Sequence, residues 1–223
     1  MIADAIRHIR EQLPAGVRLL AVSKFNPPEA IREAYDAGQR MFGESQAQEL
    51  RTKHDLLPKD IEWHFIGHLQ TNKIKYIAPY VALIHAVDSP HLLAEISRHG
   101  ERCGRRIPCL LQLHVAQEET KYGFSFAELD EYLAGGEWKA LGGIELRGLM
   151  CMASNVDDEA QIAREFQSAA DFFTHCRAAY FSEASGFREC SWGMSGDWPI
   201  AVAHGSTIIR VGSMIFGTRD YSK

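Results

Sequence analysis

The sequence has no apolar stretch near the ~20 residues that a bilayer-crossing helix requires. It opens on Met1-Ile2-Ala3-Asp4, with an acid where a secretory signal carries a basic flank and an apolar core. We therefore expect a cytoplasmic protein without a membrane partner. It also lacks any long basic run: 24 Lys+Arg stand against 29 Asp+Glu, a net charge of −5. That balance argues against tracking a phosphate backbone and so against nucleic acid as a partner. Cysteine is scarce and scattered. Cys103, Cys109, Cys151, Cys176 and Cys190 form no CxxC pair, which fits neither a disulfide framework nor a closed zinc site. No GxGxxG follows an apolar run and no HExxH occurs, so the main signals for a dinucleotide site and a zinc protease are missing.

What is present is a chain of 223 residues, 46% hydrophobic and 24% charged, at the globular average and able to bury a core. Eight short apolar or β-branched runs suit strands: Leu19–Lys24, Met41–Ser45, Trp63–Gly67, Leu83–Asp88, Ile107–Val115, Leu146–Ala153, Glu189–Ser195 and Ile208–Gly217. Helical segments alternate with them. An N-terminal helix carries Ile2, Ile6, Ile9 and Leu13 on one face. Asn26-Pro27-Pro28-Glu29 opens a second, with Ala30, Ile31, Ala34 and Tyr35 on one face before Gly38. Ser89-Pro90 opens another that closes at Gly100, and Asp157/Asp158 start one with Ile162, Phe166, Ala169 and Phe173 at helical spacing. The first five runs start roughly 20 residues apart, the length of a βα unit. The expectation is α/β, a single (β/α)8 barrel over residues 1–223 with an extra N-terminal helix, although ~250 residues are typical of that fold. An open doubly wound sheet is the alternative.

In a barrel the C-terminal strand ends build the site, so the residues that finish each run carry the functional signal. The first run ends on Lys24. An amine beside an apolar strand is partly desolvated, which favours its free form and suits a Schiff-base nucleophile; a lysine at a strand end also commonly reaches out into water. After the seventh run comes Gly193-Met194-Ser195-Gly196-Asp197, ahead of a short helix-like segment from Trp198 to His204. Small residues, a hydroxyl and backbone N–H groups at a helix start can hold a phosphate. The eighth run contributes Arg210-Val211-Gly212-Ser213, and barrel phosphate sites frequently occupy the loops after strands seven and eight. Plain turn residues and a surface ion-pair arginine are the structural alternatives. A lysine on strand one together with a phosphate cradle is a layout for pyridoxal 5′-phosphate, PLP.

The segments AVSK, FGES, WHFIGHLQTNK, TKYGF, RGLM, GMSGDW and RVGSMIFGTRDYSK resemble the pyridoxal phosphate homeostasis protein family, from about Leu19 to Lys223. The resemblance implies a barrel similar to the N-terminal domain of alanine racemase, with PLP covalently on Lys24. It implies that Ser195, Gly212 and Ser213 hold the phosphate and that Arg210 approaches the pyridine nitrogen. Lys121 matches a family lysine that serves as a second cofactor contact or handover point. Three positions depart from the family pattern: Ser45, which the resemblance also counts among the cofactor-binding residues, replaces an asparagine, Asn26 replaces a lysine, and Ser213 stands for a threonine and keeps the hydroxyl. The family function is PLP homeostasis, buffering or delivering the cofactor to PLP-dependent apoenzymes.

An arginine only donates, so a pyridine nitrogen against it stays unprotonated and the ring is a weaker electron sink. Racemisation also needs a base on each face of the substrate carbon, and Lys24 supplies one. His64, His68, Tyr122 and His204 are candidates for the other, though histidines near apolar runs are more often structural. The chain stops about ten residues after Ser213, where racemases continue into a second, dimerising domain. The expectation is a monomeric carrier with little or no catalysis and no metal. A racemase or related PLP enzyme, and a phosphometabolite aldolase using Lys24, are the alternatives.

Overall fold

The computed structural model describes residues 1–117 and 122–217. Eight parallel strands close in sequence order among these residues: β1 (Arg18–Val22), β2 (Met41–Glu44), β3 (Glu62–Phe65), β4 (Leu83–Val87), β5 (Ile107–Gln112), β6 (Ile144–Met150), β7 (Glu189–Ser191) and β8 (Ile208–Val211). β1 completes the ring against β8, with Leu20 opposite Arg210. Each of the eight apolar runs contributes a strand to one closed barrel, and the open sheet is set aside. The helices are α1 (Ile2–Gln12), α2 (Pro28–Asp36), α3 (Ala47–Leu56), α4 (Pro90–Arg102), α5 (Phe126–Gly135), α6 (Glu159–Tyr180), α7 (Trp198–Ala203) and α8 (Ser213–Phe216). No helix among the described residues is long and apolar enough to cross a membrane.

Alternation along each strand divides the core in two. Outward-facing Leu19, Ala21, Phe42, Trp63, Ile84 and Leu111 pack against Ile31, Leu50, Ile96, Leu129 and Phe166 of the surrounding helices. Inside the barrel, Leu20, Leu83, Ala86, Leu110, Met150 and Ile208 form a smaller apolar group. The inner face also carries polar side chains, and these lead to the site.

Side-chain caps account for three of the helix starts, those of α4, α5 and α6. Ser89 Oγ accepts from Leu92 N–H with Pro90 in the first turn, and Asp158 accepts from Ala160 and Gln161. Ser125 and Glu128 make a reciprocal capping box for α5. Three expectations are corrected. Asn26 does not cap α2: Pro27 occupies that position, and Asn26 Nδ2 donates instead to Lys24 O at 3.2 Å. Gly100 does not end α4, which runs on to Arg102. A Cβ there would sit 2.1 Å from Gly143 O, so glycine lets α4 approach the chain entering β6. The run Ile208–Gly217 is not one strand: β8 stops at Val211, and Ser213–Phe216 turn into a helix after Gly212.

Candidate functional site

The barrel places its chemistry just beyond the strand ends. A cavity of about 490 Å³ is lined by Lys24 after β1, by Met194, Ser195 and Gly196 after β7, and by Arg210, Gly212 and Ser213 on and after β8. Val22, Ile66 and Met152 complete it with apolar surface. Five of the residues singled out in the sequence, Lys24, Ser195, Arg210, Gly212 and Ser213, thus meet in one cavity. Ser45 does not line it; that residue lies in a separate cavity with Gln46, His68 and Lys73. Lys121 lies outside the described residues.

The two loops that carry hydroxyls are tied together. Gly212 N–H donates to Ser195 Oγ at 3.3 Å. A Cβ on Gly212 would meet Val22 O at 3.2 Å, so glycine seats the loop after β8 closely against β1. The turn after β7 is closed by Asp197, whose Oδ1 accepts from Met194 N–H, and by Trp198 N–H donating to Met194 O at 2.9 Å. Gly193 there has φ +91°, where a Cβ would meet that of Ala201 at 2.6 Å.

Arg210 is 4% exposed and held by three bonds: Nη1 donates to Ser191 O at 2.6 Å and to Ser191 Oγ at 2.8 Å, and Nη2 donates to Cys151 O at 2.9 Å. Behind it runs a buried polar chain. Ser191 Oγ lies 2.8 Å from His85 Nδ1, and His85 Nε2 lies 2.8 Å from His64 Nδ1. Because Arg210 only donates, the Ser191 hydroxyl accepts from it, and its other contact is the hydrogen bond with His85 Nδ1. In the His85–His64 pair one ring nitrogen donates and the other accepts. Burial lowers His64 to about 3, and it lowers His85 well below the ordinary value, helped by His64 and Arg210, so both imidazoles are neutral. Burial also lowers Arg210 from its ordinary value, while Cys151 and Asp197 act to raise it.

The histidines thus separate into different roles. His64 belongs to the barrel interior, whereas His68 bonds Asp88 Oδ2 at 2.8 Å and stacks on Tyr122 with ring centres 4.2 Å apart. The i, i+4 pair shares no ligand geometry, and His204 bonds Gln167 Oε1. Ser191 and His85 were missed in the sequence. Their signal was available: a histidine in the middle of the apolar run Leu-Ile-His-Ala-Val faces the barrel axis and needs a partner there.

A primary amine, two hydroxyls beside a close-packed glycine, a donor-only cation and apolar walls in one cavity fit an aromatic aldehyde that carries a phosphate. Fold and site define a barrel of the alanine racemase N-terminal type, and the family model described as "Alanine racemase, N-terminal domain" matches residues 1–220. The chain is 37% identical over 217 residues to the pyridoxal phosphate homeostasis protein of Escherichia coli (strain K12), covering 94% of this chain and 89% of that one. PipY of Synechococcus elongatus PCC7942, solved without PLP, superposes with a TM-score of 0.91 at 38% identity, covering 97% of this chain and 100% of that one. The same protein with PLP bound gives 0.88 at the same identity and coverage. The chain belongs to the pyridoxal phosphate homeostasis protein family.

Proposed function

We propose that this chain holds pyridoxal 5′-phosphate on Lys24, as a single cofactor-binding barrel domain over residues 1–223, and serves intracellular PLP homeostasis with little or no turnover. The observation that carries the reading is the meeting of Lys24, Ser195, Gly212, Ser213 and Arg210 in one cavity. When bound, the cofactor supplies an aldehyde that condenses with a primary amine, with loss of water, and a ring that withdraws electrons. Lys24 offers that amine. Ser195 and Ser213 offer hydroxyl donors for the phosphate, and Gly212 lets the backbone approach it closely. Arg210, fixed by Ser191 and Cys151, presents only donors, so a ring nitrogen against it remains an unprotonated acceptor and electron withdrawal stays weak. That electronic setting favours holding over carbanion chemistry. The relatives are named for PLP homeostasis, and PipY has been solved with PLP bound, in line with this reading.

On the same reading the protein acts in the cytoplasm as a monomer and hands cofactor to PLP-dependent apoenzymes. Five unpaired thiols, four of them buried, suit a reducing compartment. Sedimentation of the loaded protein tests the monomer. For the site itself, fresh protein incubated with PLP is expected to show a visible absorbance band that borohydride converts into a permanent adduct. Lys24→Ala is expected to lose both. Equal retention by wild type and Lys24→Ala would overturn the assignment of Lys24.

A further inference from the structure

Lys24 sits between two peptide groups that are both anchored to the same buried ion cluster. Phe25, the next residue, is the one non-glycine among the described residues with a left-handed backbone, φ 65°. A residue bearing a Cβ disfavours this conformation, so it persists only where its surroundings impose it. Phe25 is 60% exposed, and core burial of its ring does not impose it. Its N–H donates to Glu49 Oε1 at 2.6 Å. The same oxygen accepts from Lys53 Nζ at 2.7 Å. Lys53 is buried, and Nζ spends its two other protons on Ser23 O and Glu44 Oε1, each at 2.8 Å. Ser23 Oγ donates to that Glu44 oxygen at 2.6 Å.

Ser23 O and Phe25 N belong to the two peptide planes that flank the Lys24 Cα. Asn26 N–H closes the turn by donating to Ser23 O at 3.0 Å, and side chains from β2 and α3 that do not line the cavity anchor both peptide groups from outside the turn. All three protons of Lys53 are bonded, so this second lysine is a strut and not a competing amine. We propose that Glu49 and Lys53 are positioning residues for Lys24: Glu49 holds the left-handed turn at Phe25, Lys53 holds the Ser23 carbonyl, and together they aim the Lys24 amine into the cavity. The inference rests on the reading of Lys24 as the amine that holds PLP.

Glycine adopts a left-handed φ without the Cβ penalty, and this gives the test its discriminating arm. Apoprotein is mixed with PLP, and covalent capture at Lys24 is followed by absorbance and by borohydride trapping. The chemical shift of the residue 25 amide is read in the apoprotein. Glu49→Ala is expected to slow capture by about tenfold and to move the residue 25 amide shift upfield as its short bond is lost. Phe25→Gly in the Glu49→Ala background is expected to restore the capture rate to within about twofold of wild type, since the turn no longer needs holding. Glu49→Gln keeps an acceptor oxygen and the side-chain volume, so it supplies a folded comparison with a smaller loss should Glu49→Ala prove unstable. Wild-type capture kinetics in both Glu49→Ala and Glu49→Gln would overturn the inference and leave the PLP reading standing. A defect that Phe25→Gly leaves in place would overturn the role assigned to the Phe25 turn. Failure of the wild type itself to form an adduct on Lys24 would overturn the PLP reading and the inference with it.

Discussion

Two buried histidines make the interior of this barrel sensitive to acid. His64 and His85 are neutral when folded and both titrate below their ordinary value of 6.5, so unfolding takes up protons. The stability tied to them is complete above pH 6.5 and is lost as pH falls below it, for His64 through the window from 6.5 to about 3 by about 1 kcal/mol per pH unit. Glu44 runs the other way. Burial pushes its carboxyl from 4.5 up to about 7, against the pull of Lys53 and Ser23, so stability tied to its protonated form is lost as pH rises through that window. Between pH 5 and 6.5 it offsets one histidine. Urea unfolding is expected to show stability rising by about 1 kcal/mol per pH unit there, and His85→Gln is expected to flatten the slope. An equal slope in both proteins would contradict the neutral histidine chain. A buried histidine was legible in the apolar run Leu-Ile-His-Ala-Val, but its pairing was not. His64 and His85 are 21 residues apart, and only barrel closure makes them neighbours on the inner face. Lys24 and Ser195 could be read early because each terminates a strand run, and Arg210 because it lies within the last one next to Gly212-Ser213, where barrel chemistry collects.

Among the elements, those with periodic apolar faces were evident: α1, α2, α4 and α6 match their sequence signals in buried face, although the cap of α2 and the end of α4 differ. α3 and α5 were not singled out. α3 spends its length on polar residues, AQELRTKHDL, because one face serves the Glu44–Lys53 cluster and not the core alone. The helix that supports Lys24 from behind was thus the one with the weakest apolar pattern. The α4–β6 junction illustrates a different failure. Gly100 reads as a helix stop, yet its absent side chain is used for packing. Cβ atoms at Gly100 and Gly143 would lie 2.1 and 2.0 Å from the backbone oxygens of Gly143 and Ser97. Gly100→Ala is therefore expected to cost about 2 to 3 kcal/mol by overpacking, whereas Ser89→Ala at the start of the same helix costs about 1 kcal/mol for its cap. Denaturant midpoints of the two variants check the ranking. A Gly100→Ala variant as stable as Ser89→Ala would show that α4 can shift away from Gly143.

The whole molecule concentrates its reactive groups at one end of the barrel and its apolar layers around and within it. Strand order brings the first and last strands side by side, so Lys24 and the Gly212-Ser213 turn, nearly the length of the chain apart, share a wall. That closure was foreseeable from eight strand-length runs alternating with helical segments, the first five of them at βα spacing, and it made the candidate site foreseeable too. The supports behind the site were not, since bonds such as Phe25 to Glu49 and Arg210 to Ser191 depend on how the closed ring seats its helices and inner layer. The proposed placement of the Arg210 guanidinium against the ring nitrogen sets the expected chemistry. Holoprotein incubated with L-alanine in heavy water is expected to show little α-proton exchange at cellular enzyme concentrations; rapid exchange would favour a racemase-type enzyme. The central claim, that Lys24 carries the cofactor, is tested most directly by reducing PLP-loaded wild-type protein with borohydride and locating the adduct by peptide mass spectrometry. A single phosphopyridoxyl group on the peptide containing Lys24 is the expected result. An adduct on another lysine, with Lys24 unmodified, would contradict it.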